Sequence, residues 1–511
     1  MGSDWWEENN GDAADARHDQ YGLSSDIEEK PTEPFNASDD EGDDDDYPPV
    51  QHRSRQGARR ADGRVLARRG SVGEILNGLG KSGSDDLHPA LERRIRDFRF
   101  AQQKREEKYG SDRPFGILGL YDHLASIRID LEWAEDAAWR RQHNEPYLSW
   151  SDFEKARAKG SNRPFFTYFI LLFSTVMVFA SIAANEWQIE SLNVNPMIGP
   201  SAETLLELGA KQSSLIVTEG EWFRLFSPMV LHAGLIHYTL NMLVLWFVGS
   251  AIEKSHGSIN AAITFIIAGV GGTVLSAIFL PQYISVGASG GIFGFIGMCV
   301  SDIVVNWNLL FVKEDGDDKD HRFRHTMVLL WLMVDILVNL VIGLTPFVDN
   351  FTHLGGFVYG FLCGLSTIER LEVGFFGVAT TAWEKFRNNL VRFSGLILSV
   401  VLIMVTTILL VESDGATSPC NNCRYVSCVP FPPWQEDRWW YCDDCDQVTA
   451  DAHKRDASSP IFDSLDLTCP NGDIVRIDIV EDGIGDTDVL LKALSGYCRN
   501  NCNDVFNAAR F

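Results

Sequence analysis

Two short stretches of this 511-residue chain combine reactive side chains with glycine. Ser289 lies in Gly287-Ala288-Ser289-Gly290-Gly291-Ile292-Phe293-Gly294, which opens an apolar run reaching about residue 310. His353 lies in Asn350-Phe351-Thr352-His353-Leu354-Gly355-Gly356-Phe357, and small residues then recur as Gly356, Gly360 and Gly364, along one helix face. Polar groups in apolar spans are costly and tend to be functional. Glycines at this spacing let two membrane helices approach backbone to backbone. A serine hydroxyl is a weak nucleophile until a base takes its proton, so a serine and a histidine at the mouths of two such helices point to a nucleophile and its base. Acyl transfer by such a pair also needs donors for a developing oxyanion. His237 and Asn241, four residues apart on one helix face, offer an imidazole N–H and a carboxamide N–H, alongside the backbone N–H of Ser289.

Apolar runs long enough to cross a bilayer must position these groups. They cover residues 164–184, 235–252, 259–280, 287–310, 326–344, 351–368 and 393–411, giving seven candidate spans. Lys155, Arg157, Lys159 and Arg163 precede the first, and Lys254, Lys313, Lys319, Arg322, Arg324, Arg370, Lys385, Arg387 and Arg392 fall in alternate loops. The opposite loops hold only Lys211 and Arg224. Positive residues stay in the cytoplasm, so the amino terminus is expected there and the chain beyond 411 on the other side. Ser289 and His353 then enter the bilayer from the same face and at similar depth.

Gly287-Ala288-Ser289-Gly290, His353-Leu354-Gly355-Gly356 and His232-Ala233-Gly234-Leu235-Ile236-His237-Tyr238-Thr239-Leu240-Asn241-Met242, in that relation along the chain, resemble the rhomboid intramembrane serine proteases. The resemblance covers roughly 165–368 and leaves both flanks uncovered. It implies an all-α, polytopic fold: a six-helix bundle with an added seventh carboxy-terminal span. It further implies Ser289 as nucleophile and His353 as general base, a dyad without an acidic third member. His237 and Asn241 would stabilise the oxyanion, Phe293 would stack on the histidine, and His232 would brace the preceding loop. Gly287 belongs to the serine motif. The segment 185–230 would lie half-immersed in the outer leaflet, with Trp187, Trp222, Phe223 and Phe226 as anchors and Arg224 bonding the loop. Asp302, Asp335 and Asn339 are polar groups within spans that receive no role.

The formal charge of −26 argues against nucleic-acid binding. A mean hydropathy of −0.06 averages polar ends against an apolar middle. Residues 1–86 are acidic and poor in large apolar groups, a composition that does not fold alone; Arg68-Arg69-Gly70-Ser71 within them resembles a basophilic kinase site. The start lacks the pattern of a secretory or transit segment, so the first span is expected to serve as the address. Residues 87–163 are expected to form a helical cytoplasmic segment, in which Ile95, Phe98, Leu120, Leu124, Ile127, Leu131, Trp133 and Trp139 pack as a small cap or else belong to solvated helices leading to the membrane. The core occupies 164–368, a linker and seventh span 369–411, and a Cys-rich tail 412–511. Of ten cysteines, eight lie in that tail. Outside the cytosol such a set reads as disulfides, although Cys420-x2-Cys423 and Cys442-x2-Cys445 also fit a four-cysteine zinc site. Trp434, Trp439 and Trp440 would serve either arrangement as core.

The resemblance therefore implies an endopeptidase, without cofactor or metal at the dyad, that cuts single-span membrane proteins in or near their transmembrane segments. Its setting would be the lipid bilayer of the secretory pathway (endoplasmic reticulum, Golgi or plasma membrane). The alternative is an inactive rhomboid-like protein that binds and escorts membrane clients. Inactive relatives lose the serine or histidine, or crowd the site with proline; here both residues are present and Gly287-Ala288 brings no proline.

Overall fold

Apolar runs bounded by charge, proline or glycine become helices in the computed structural model, which describes residues 89–502 apart from 111–115, most of 311–336, 369–381 save Leu371, and scattered short stretches elsewhere. The acidic arm 1–86 with Ser71, and Asp335, lie outside the described residues.

Three helices precede the bundle: α1 (Pro89–Tyr109), α2 (Gly116–His143) and α3 (Trp150–Gly160). Pro89 suits a first turn, where its missing N–H is not needed. Ile95, Phe98, Leu120, Leu124, Ile127, Leu131 and Trp133 are all buried, so this segment is a packed unit. Trp139 departs from that expectation: it is exposed and stacks on His143 at a centroid distance of 4.1 Å.

The first span is α4 (Phe165–Ala184), the second α5 (Leu235–His256), the third α6 (Ser258–Phe279). The fourth, α7 (Ser289–Val305), is shorter; the sixth is α8 (Asn350–Thr367) and the seventh lies in α9 (Ala382–Glu412). Most of the expected fifth span lies outside the described residues. Lipid-facing side chains of α4, such as Phe169, Leu172 and Phe179, remain exposed, as a membrane span requires. Glu253 near the end of α5 is buried and accepts hydrogen bonds from the Phe166 and Thr167 backbone N–H groups at 2.8 Å each. A carboxylate there satisfies orphan donors at a helix start and complements its dipole.

The centre of the bundle is α8, between α6 and α7. A Cβ on Gly356 would strike the carbonyl of Gly290, one on Gly360 the backbone of Gly294, and one on Gly364 the Ser301 side chain at 2.6 Å. Gly355 likewise faces Gly272, whose Cα a Cβ would approach to 2.7 Å. These successive contacts are the close approach the glycine spacing predicts. At the far end of α7, buried Asp302 accepts from Arg128 Nη2 of α2 at 2.5 Å and from Asn306 Nδ2 at 2.8 Å, with His256 Nε2 at 3.1 Å.

The tail folds separately. Strands β1 (Thr449–His453), β2 (Ser464–Thr468) and β3 (Ile474–Asp478) form an antiparallel sheet in that order, followed by α10 (Thr487–Asn501). Leu465 and Leu467 alternate inward from β2 and pack with Ile479, Leu490 and Leu494. The eight cysteines pair as Cys420–Cys423, Cys428–Cys442, Cys445–Cys498 and Cys469–Cys502, so the two C-x2-C pairs do not converge. Trp434 and Trp439 are not core: they are 75% and 76% exposed, and with half-buried Trp440 they ring Phe431. Disulfides and the leucines of β2 and α10 fill the interior instead, leaving the indoles no place there.

Candidate active site

Ser289 begins α7 and is half-buried, following the tight entry of Gly287. Gly287 takes φ +131°, a backbone conformation that disfavours side chains. Its space is also taken, because a Cβ there would lie 2.8 Å from His237 Cε1 and 3.0 Å from His237 Nε2. The same point is 3.7 Å from Ser289 Oγ. Gly287 thus lets the imidazole of His237 and the hydroxyl of Ser289 flank one small space. Its N–H donates to the Pro228 carbonyl at 2.8 Å, which fixes the strand of chain leading into α7.

His353 lies in the first turn of α8, half-buried, with its ring stacked on Phe293 at 4.0 Å and 14°. Phe293 is one turn after Ser289, so this stack aligns the histidine with the serine's helix. Gly290, next to Ser289, would touch Thr352 Cγ2 at 3.0 Å if it carried a Cβ, and Thr352 precedes His353. Ser289 and His353 therefore occupy facing first turns of two helices in backbone contact.

Asn241 is buried on the same helix face as His237, and its Nδ2 donates to the His237 carbonyl at 3.0 Å. A carboxamide has two N–H donors, so a second remains for another acceptor. His232 is buried and meets His237 and Tyr238 edge to face at 5.4 and 5.5 Å. It packs against the site and does not line it. Arg224 bonds the loop as expected: Nη1 donates to the Leu206 and Ala210 carbonyls at 2.6 and 2.9 Å.

Two charged residues near the histidine escaped the sequence reading. Asp349 caps α8: one oxygen accepts from the Phe351 and Thr352 N–H groups at 3.1 Å each, the other from Thr352 Oγ1 at 2.8 Å and from Ser276 Oγ. The cue was an acidic residue just before a helix start with a threonine three positions on. Lys211, expected only as a loop cation, is fully buried and donates from Nζ to the Leu280 and Tyr283 carbonyls at 2.8 Å each. No local pattern marks it, because its acceptors arise from a distant helix end.

Burial lowers the Lys211 pKa from 10.5 to about 8, partly countered by the Asp349 carboxylate. The unfolded chain therefore binds more protons between these values, and stability from this group rises with pH across that window. Below about pH 8 the cost of burying the cation is present in full. Relative to Lys211→Met, the unfolding midpoint of the native chain is expected to rise from pH 8 to 10; a flat difference would contradict the shift.

The Rhomboid domain family matches residues 219–370. RHOMBOID-like protein 2 of Arabidopsis thaliana is 35% identical over 250 residues, 48% of this chain and 75% of that protein. Inactive RHOMBOID-like protein 8 of the same plant is 28% identical over 258 residues, 48% of this chain and 70% of its own. Rhomboid protease GluP of Bacillus subtilis is 34% identical over 202 residues, 39% of this chain and 34% of that one. The chain belongs to the rhomboid family. It is a multi-pass membrane protein.

Proposed function

We propose that this chain is an intramembrane serine endopeptidase. The observation that carries the reading is the position of Ser289 and His353 in the first turns of α7 and α8, with His353 stacked on Phe293 of the serine's helix at 4.0 Å. In the reaction Ser289 Oγ attacks the scissile carbonyl while His353 takes its proton. The oxyanion forms beside His237, Asn241 and the Ser289 N–H. His353 then returns the proton to the leaving amine, and water, activated by the same imidazole, releases the acyl group. Serine and histidine supply every proton transfer, so no metal or cofactor enters.

The substrates are single-span membrane proteins, cut near the membrane end at which Ser289 opens. The amino-terminal flank is cytoplasmic and the tail luminal or extracellular, because basic residues line the first side and disulfides the second. Likeness to the protease GluP supports hydrolysis.

A second reading, an inactive escort for membrane clients, draws on the likeness to inactive RHOMBOID-like protein 8 and on the long tail. Co-expression with a panel of tagged single-span proteins separates the two. Fragments made by the native chain and lost with Ser289→Ala support the protease; bound, uncut clients with both support the escort.

The oxyanion donors are expected to behave differently from the dyad. His237→Ala or Asn241→Ala should reduce the cleavage rate by about 10²–10³ while leaving it measurable, as for single donors in other preorganised sites. His232→Ala should lower the thermal midpoint more than the rate per folded molecule. Rate assays beside thermal melts check both, and a fully dead His237→Ala would contradict the donor role.

A further inference from the structure

The Cys-rich tail is fastened to the helix that carries His353. Asn350, the first residue of α8, is buried; its Nδ2 donates to the Val426 carbonyl at 2.6 Å and its backbone N–H to Ser427 Oγ at 3.2 Å. Val429 N–H donates to the Leu344 carbonyl at 2.9 Å, on the segment that leads into α8. The tail therefore holds the chain at Leu344 and at Asn350, both ahead of the histidine.

These acceptors lie directly before a disulfide-closed loop. Ser427 is buried beside Cys428, which is bonded to Cys442. A further anchor lies upstream, where Ser418 Oγ donates to the Phe279 carbonyl at the end of α6.

A helix start leaves its first N–H groups without intrahelical partners. In α8, Phe351 and Thr352 find the Asp349 carboxylate and His353 finds the Asp349 carbonyl at 3.2 Å. The remaining donor, Asn350 N–H, is met by the tail. An element beyond the 219–370 family match thus completes the turn that presents His353.

We infer that the tail loop 426–429 sets the position of His353, with Ser427 and Asn350 as positioning residues. The inference rests on the protease reading for its kinetic consequence and on the geometry alone for its structural one. Loss of the Ser427 hydroxyl leaves the Asn350 N–H unpaired and loosens the first turn of α8. A base displaced by a fraction of an ångström takes the serine proton less well, while substrate binding along the bundle is little changed.

The test uses the full chain in nanodiscs with a cleavable single-span substrate. Ser427→Ala and Asn350→Ala are expected to lower kcat by about 10- to 100-fold, the scale of a small misplacement in a catalytic site, with KM within about twofold. Ser427→Thr, which keeps the hydroxyl, should restore kcat. In the same samples, backbone hydrogen exchange over 350–356 should quicken in both alanine variants and return with the threonine. Unchanged kcat, or a change confined to KM and thermal stability, would overturn the inference. If the native chain cleaves no better than Ser289→Ala, the protease reading fails. The exchange data then decide alone: faster exchange sustains the tail's hold on the His353 turn, and unchanged exchange ends it.

Discussion

Replacing Ser289 with alanine is expected to bring peptide cleavage to background while leaving the fold and membrane insertion intact. The hydroxyl is the sole candidate nucleophile at the mouth of α7, and alanine is smaller and tolerated in a helix start. The close approach of the helices there is made at Gly290 and Gly294, which the substitution leaves in place. His353→Ala should act almost as strongly, since an unassisted hydroxyl is poorly nucleophilic. The two losses should not add in the double variant, because residues acting as one unit fail together. Thermal melts of each variant beside cleavage assays decide the matter. Retained cleavage by Ser289→Ala would remove it from the mechanism.

A second large effect is expected at the glycine stripe. Gly360→Val would drive a branched side chain into the carbonyl and Cα of Gly294, which are backbone and cannot swing aside. Overpacking of this kind costs roughly 1–3 kcal/mol or more, and here it also pushes apart the helices bearing Ser289 and His353. We expect a lowered thermal midpoint together with near-complete loss of activity in the remaining folded protein. Gly496→Ala, at an exposed position of α10 with nothing within 4 Å of the added carbon, provides the control and should be neutral or slightly stabilising. Equal effects at the two positions would show that α7 and α8 do not need their close approach.

The placement of Ser289 and His353 at the starts of two packed helices was legible because two signals coincide in the sequence: a helical period of small residues, and a polar side chain where an apolar run begins. Helix α8 and its contact with α7 follow from Gly356, Gly360 and Gly364 without further information. The surroundings of the histidine were less legible. Asp349 carries a local capping cue, but its bond to Ser276 joins residues far apart in sequence. Lys211 reads as an ordinary loop cation, and only the folded ends of α6 and its following turn show why a charge is buried. Trp434 and Trp439 misled for the opposite reason. Large aromatic residues usually fill a small domain, yet here cross-links and a few leucines complete the interior. The hold of Ser427 on Asn350 could not be foreseen, since neither residue stands out by type.

The shortness of α7 bears on how the protein sits among lipids. Its 17 residues rise about 26 Å, against a hydrocarbon layer of about 30 Å. Most of α7 is buried against its neighbours, so its ends are recessed within the bundle below the surface of the layer. At the Ser289 end this recess sets the path that water must travel to reach the hydroxyl. Membranes with longer acyl chains would then hide the serine more deeply, and compartments that differ in thickness would differ in how readily the same chain turns over. Reconstitution across lipids of graded chain length reads this out as a fall in rate with thickness, and a rate indifferent to thickness would remove the connection.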